Sequence, residues 1–210
     1  SPGTENANCV TFGDYYATAD DTNATTLRTT LHDIIDDHIS YPYTAGTTDT
    51  WDILNFADED PNPAVDIDPM ISEQVWMVYK NNAYTTEPGG NSNYNREHTW
   101  PQSYGFHKNV LGEDNTARTD AHHLMLSDIF YNGARGNKYF DYCDISCTEL
   151  TTDNYNGQGG GFGVYPGNSN WYDDNTNTFE VWNARKGDIA RAMFYMAVRY
   201  EGNEGGTVNE

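Results

Sequence analysis

Two stretches of the chain carry side chains whose types and spacing suit chemistry. The first is Tyr94-Asn95-Arg96-Glu97-His98-Thr99-Trp100-Pro101-Gln102-Ser103. The second runs from Asp120-Ala121-His122-His123-Leu124 to Asn132-Gly133-Ala134-Arg135-Gly136-Asn137. Glu97 and His98 are adjacent, so on an extended strand they point to opposite sides, while on a bend they can flank one site. A zinc protease needs two histidines on one helical face, as in HExxH. Here Glu97-His98 is followed by Thr99, Trp100 and Pro101, and proline is hostile to a helix interior, so zinc proteolysis is disfavoured. One carboxylate, one amide and a neutral imidazole fit phosphodiester hydrolysis around a single hard cation. Mg²⁺ keeps several waters and is held by one or two protein oxygens. A nearby imidazole can then deprotonate the attacking water. Each residue also has an ordinary structural use: Glu97 as a cap, His98 as a hydrogen-bonded imidazole, Asn132 as a helix end.

Several elements must position these residues. Leu27, Leu31, Ile34, Ile35 and His38 recur at helical spacing from Thr25, and Tyr41-Pro42 stops the run. Trp51, Ile53, Leu54 and Phe56 form a second apolar cluster, and Gln74 to Tyr79 reads as a strand or short buried segment. His122 to Leu126 reads as another strand, with a helix from Ser127 and Asp128 through Asn132 that Gly133 and Gly136 disturb. The glycine-rich run 157–163 reads as flexible. The clearest helix spans 188–200, with Ile189, Met193, Met196 and Tyr200 on one face, Asp188 as its cap and Gly202 at its end. Residues 1–24 are polar and read as a loosely anchored lead-in. With no repeat and no convincing linker, residues 1–210 read as one domain.

Composition bounds the rest. The chain has 210 residues, 11 Lys+Arg against 32 Asp+Glu, and a net charge of -21. Aromatic residues make up 14%, too many for a disordered acidic segment. No apolar run reaches the length of a membrane span. Scarce lysine and abundant aspartate suit either a salt-adapted secreted protein or an ordinary acidic one. The opening Ser1-Pro2-Gly3 reads as a mature fragment whose targeting peptide is gone. Cys143 and Cys147, four apart, suit a short disulfide loop in an oxidising compartment, which leaves Cys9 over. The acidic stretch 57–69, with Asp58, Asp60, Asp66 and Asp68, lacks the glycine and terminal glutamate of an EF-hand and reads as a solvated loop.

The words NREHTWPQSYGF and DAHHLMLSDIFYNGARGN together resemble the bacterial secreted and periplasmic endonuclease I family, whose active site is a ββα-metal (His-Me finger) motif. The resemblance takes in TWDILNFADEDP, VWMVY and KGDIARAMFYMAVRY as well, covering about three quarters of the chain. It implies an α+β single domain, mainly helical and loop-rich around that motif. It implies His98 as the general base and Glu97 and Asn132 as ligands of Mg²⁺, with Mn²⁺ or Ca²⁺ able to take the same site. The family's phosphate-steadying arginine falls in a segment of variable length, so Arg118 and Arg135 are both candidates, beside Arg96. Asp120, His122 and His123 are expected as structural support. Trp100 and Tyr104 are expected to pack the motif more than to stack on bases.

The activity so implied is endonucleolytic cutting of DNA, with RNA also in range, showing little sequence preference and leaving 5′-phosphate ends. The expected protein is a monomer, secreted or periplasmic, with no membrane partner. Its net charge should repel a polyanion. Arg96, Lys108, Arg118, Arg135 and Lys138, five of the 11 cations, lie in or beside the two words, so Arg96, Lys108 and Lys138 are expected to contact substrate. The competing class is a secreted, calcium-stabilised carbohydrate-binding or glycoside-cleaving domain, supported by the aromatic content and acidic loops.

Overall fold

A computed structural model describes residues 15–36, 38–60, 73–89, 91–106 and 115–200. Cys9, Asp66, Asp68, Lys108 and Gly202 lie outside them.

Helix α1 (Ala24–Ile35) starts where Asn23 accepts hydrogen bonds from the backbone N–H groups of Thr25 and Thr26. Asp20 N–H donates to Thr30 Oγ1 at 2.9 Å, and Tyr15 OH donates to Ile34 O at 3.2 Å. Helix α2 (Thr50–Ala57) begins with a capping box between Asp49 and Asp52. Its Trp51 and Leu54 are buried with Val75, Met77, Tyr94, Leu124 and Leu126 in one apolar cluster. A second cluster gathers Val78, Tyr79, Tyr131, Leu150, Phe179, Val181, Trp182 and Ile189.

Strand β1 (Gln74–Trp76) pairs antiparallel with β2 (Ala83–Thr85). The expected strand is therefore shorter than 74–79. Met77 to Tyr79 stay buried but leave the ladder for a turn in which Asn81 has φ +57°.

Between the two clusters lies a second antiparallel pair, β3 (Tyr94–His98) and β4 (Leu124–Asp128), with Glu97 opposite Met125 and His98 opposite Leu124. Strand alternation explains how one ribbon serves two cores. Leu124 and Leu126 enter the first cluster, while Met125 packs against the second. A four-residue helix, α3 (Thr116–Thr119), precedes β4. Helix α4 (Ile129–Arg135) follows β4 without a loop, because Asp128 both ends the strand and caps the helix through Phe130 N–H and Tyr131 N–H.

The four-stranded sheet has the order β5-β8-β7-β6, from β5 (Tyr139–Phe140), β6 (Thr148–Leu150), β7 (Asn170–Asp173) and β8 (Thr178–Glu180). Only β5–β8 is parallel. The glycine run is not loose chain. Gly157, Gly159, Gly160 and Gly163 hold positive φ, and a Cβ on Gly159 would strike Asp153 O. Cys143 and Cys147 form the expected disulfide.

Helix α5 (Lys186–Arg199) buries Ile189 and Met196 as the spacing predicts, with Met193 and Tyr200 half-buried, and it also buries Ala192. It begins two residues before the expected start, so Asp188 lies in its first turn and pairs with Arg185 and Arg191 instead of capping. Helix α1 is bound to it through Arg28 Nη2 to Ala197 O, 2.8 Å, and His32 Nδ1 to Val198 O, 2.9 Å.

The described residues form one mixed α/β domain. They correct the mainly helical expectation, because three sheets share the core-forming work with the helices. Among them no helix is long and apolar enough to cross a membrane.

Candidate active site

The β3–β4 pair and α4 wall a cavity of about 510 Å³, bordered by Asn95, Glu97, His98, Gln102, Asn132 and Arg135 together with Tyr43 and Arg96. Antiparallel register brings the second sequence word onto the first. With β4 paired to β3, α4 begins beside Tyr94, and its Asn132 side chain donates to Asn95 Oδ1 at 2.6 Å.

Alternation sends Glu97 and His98 into different surroundings, yet both border this cavity. Glu97 is 2% exposed; its Oε1 accepts from Tyr79 OH at 2.8 Å and pairs with Arg135 Nη1 at 3.0 Å. Burial raises the Glu97 carboxyl above its ordinary value, opposed by the Arg135 charge and the Tyr79 hydrogen bond.

His98 has a defined tautomer. Its Nε2 lies 2.9 Å from the carbonyl of Arg118, which can only accept, so Nε2 carries the proton. The lone pair is therefore on Nδ1, where Gln102 Nε2 donates at 3.2 Å. Burial, then the neighbouring imidazole of His123, lowers His98 to about 3, so the ring is a neutral acceptor.

The oxygens around the cavity are hard donors. No donor among the described residues claims Glu97 Oε2 or Asn132 Oδ1, although both side chains are otherwise held in place. One carboxylate oxygen and one amide oxygen, left open beside one cavity, fit a cation that keeps most of its waters, as Mg²⁺ does. They do not fit zinc, which wants nitrogen and sulfur. Among the described residues no cluster of three or more His, Cys, Asp or Glu side chains could hold a metal.

The arginines divide their work. Arg118 donates from Nε to Gln102 Oε1 at 2.8 Å and lies 3.7 Å over the Tyr43 ring. Arg96 lies 3.4 Å over Tyr43 and 4.3 Å over Trp51, donating to Tyr43 O, Thr50 Oγ1 and Thr44 Oγ1. Arg135 is 1% exposed. Besides Glu97 it binds His98 O at 2.9 Å and Thr99 O at 2.7 Å, so where a phosphate clamp was expected it clamps the end of β3. Lys138 does not border the cavity; it donates to Ala134 O at 2.8 Å and pairs with Asp174 at 2.8 Å. Of the three expected substrate cations, then, only Arg96 is seen at the cavity.

The expected supports are beside the site but not in it. His123 is fully buried and donates from Nε2 to Ala117 O at 2.7 Å. Burial lowers it to about 4. Asp120 accepts from His122 N–H and its ring, and from Tyr195 OH and Tyr200 OH, which fastens the end of α5 to the turn before β4. Burial opposes its ionisation, but these bonds hold it well below the ordinary carboxylate range. His122 is largely exposed and stacks on Tyr195.

Sequence reasoning missed four residues of the site. Tyr43 stacks both arginines, Tyr79 binds Glu97, Asn95 orients Asn132, and Gln102 joins Arg118 to His98. Asn95 and Gln102 stood inside the first word and were open to notice. Tyr43 carried no local signal, and Tyr79 stood in VWMVY, a word that reads only as a buried segment.

The curated "Extracellular ribonuclease" of Bacillus subtilis (strain 168) is 36% identical to the chain over 194 residues. The protein of the same name from Bacillus amyloliquefaciens is 35% identical. The aligned region covers 91% of this chain and 55% of each relative, so the chain spans about half the length of the curated relatives it matches. No solved structure matches it. The Endonuclease I family matches over residues 23–205, which takes in both sequence words and every residue of the cavity. The chain belongs to the Endonuclease I family.

Proposed function

We propose that the chain is a secreted endonuclease that hydrolyses phosphodiester bonds in DNA and RNA with a divalent cation, using a ββα-metal (His-Me finger) site. The observation that carries this reading is the imidazole of His98. Its Nε2 is fixed on a backbone carbonyl, which leaves Nδ1 as the acceptor, and the residue borders the same cavity as Glu97 and Asn132. The two relatives named as extracellular ribonucleases and the family membership support it.

His98 Nδ1 accepts a proton from a water that attacks phosphorus. The bond to the 3′ oxygen breaks and that oxygen takes a proton from solvent, leaving a 5′-phosphate on one product and a 3′-hydroxyl on the other. Glu97 and Asn132 would hold a divalent cation such as Mg²⁺, which would supply positive charge against the charge that builds up in the transition state. The Arg118 carbonyl keeps the imidazole in the tautomer that leaves Nδ1 unprotonated. Gln102 holds that lone pair until water displaces its amide. Arg118 does not itself border the cavity and acts through Gln102, to which it donates. Arg96, which does border it, is the cation placed to steady the phosphate. Contacts of this kind go to phosphate and carry little base information, which gives weak sequence preference.

A glycoside-cleaving site needs two facing carboxylates. Glu97 is the one carboxylate bordering this cavity among the described residues. Plasmid nicking and RNA cleavage with Mg²⁺, with and without EDTA, test the proposal. Cleavage that survives both EDTA and His98→Ala would sink it.

A further inference from the structure

Beside residues that border the cavity, though outside its lining, two tyrosines stack. Tyr104 and Tyr139 have centroids 5.4 Å apart and planes 10° from parallel. Tyr104 OH donates to Asn137 O at 2.6 Å, and Asn137, Gly136, Gln102 and Ser103 all border the cavity. The step is therefore attached to the site on both sides of the motif, through the turn after His98 and the turn after α4.

This pair is an uneconomical way to pack a protein. Tyr139 is 59% exposed and Tyr104 38% exposed, and neither belongs to an apolar cluster. Tyr139 holds its strand by its main chain, donating to Asn177 O at 2.9 Å, and its side chain interacts with that of Tyr104. Among the described residues no other ring stacks on either tyrosine and no cation sits over one, although the Trp100 indole donates to Tyr104 O at 3.4 Å. What remains is a rigid aromatic step in water beside a cavity suited to a phosphate.

We propose that Tyr104 and Tyr139 form a stacking subsite for one unpaired nucleobase of the substrate strand, next to the phosphate that is cut. The proposal rests on the nuclease reading above. A base inside a duplex has both faces covered by its neighbours, whereas an unpaired base offers one to an aromatic ring. Every base has such a face, so the subsite favours single strands without selecting sequence. DNA and RNA present the same chemistry to it.

The test is binding of a labelled single-stranded hexanucleotide to the full chain in EDTA, with the strand checked intact on a gel. Tyr139→Ala and the volume-keeping Tyr139→Leu should each weaken binding roughly ten-fold, within the range for one lost base–aromatic stack. Tyr139→Phe should restore it. A hexanucleotide of abasic sites should bind the unaltered protein about ten-fold more weakly and be insensitive to these variants. Phe162→Ala, which removes an exposed ring outside the cavity lining, should change nothing. Equal binding by Tyr139→Leu and the unaltered protein overturns the subsite and leaves the step as packing only. So does equal loss on the abasic strand, or no binding of the hexanucleotide at all. Plasmid nicking by the unaltered protein in Mg²⁺ then reports separately whether the nuclease reading stands.

Discussion

Arg135 and Glu97 form an ion pair at 3.0 Å whose two side chains are each 2% exposed. Glu97 lies on β3 and Arg135 at the end of α4, so the pair closes the helix onto the strand beneath the cavity. Removing one partner strands a buried charge. Arg135→Met is expected to cost roughly 3–5 kcal/mol in urea unfolding. A loss below about 1 kcal/mol would show that the pair does not hold the site together.

His98→Ala is expected to lower turnover by at least about 10²-fold while near-ultraviolet circular dichroism stays native. Asn132→Ala should instead raise the Mg²⁺ concentration needed for half-maximal activity, because it removes one of the two open oxygens. If both variants change the metal requirement alike and leave turnover intact, the division between base and ligand is wrong.

Asp58 is half-buried as a residue, but its carboxylate accepts from Leu126 N–H at 2.5 Å and is enclosed enough that burial raises it to about 7. A raised pKa means the folded chain holds this proton more tightly than the unfolded chain does. The contribution to stability is full below the unfolded value of 3.8 and is lost as pH rises through about 7. Asp58→Asn should flatten the fall in stability across that window, by on the order of 2 kcal/mol after allowance for solvent screening. Denaturation midpoints of the two proteins at pH 5 and pH 8 check it, and parallel changes in both would rule it out.

Activity is expected to rise with added NaCl before it falls. The net charge of -21 repels a polyanion, Arg135 is neutralised inside the protein by Glu97, and Lys138 is paired with the exposed Asp174. Screening shortens the reach of the remaining repulsion to about 3 Å at 1 M salt. Counterion release from nucleic acid opposes the gain and wins at higher salt. A monotonic fall from the lowest salt would show that distant charge does not govern encounter.

Local order was legible in the chain itself. The heptad-like spacing of Ile189, Met193 and Met196 marks α5, Asp128 marks a helix start, and Cys143 and Cys147 mark a short disulfide. Each depends on neighbours a few residues apart, and periodicity and capping act at that range. The adjacency of Glu97 and His98 is of the same kind. What the chain alone left open was everything set by pairing across long separations. The register of β3 against β4 decided that Asn132 reaches Asn95, that Arg135 meets Glu97 and that His98 faces the Arg118 carbonyl. Tyr43 joined the site from a segment with no chemical signature, Tyr79 from a word that marks only a buried segment, and Lys138 turned to Asp174. A buried charge takes the partner that packing brings within reach, and only the folded backbone says which partner that is.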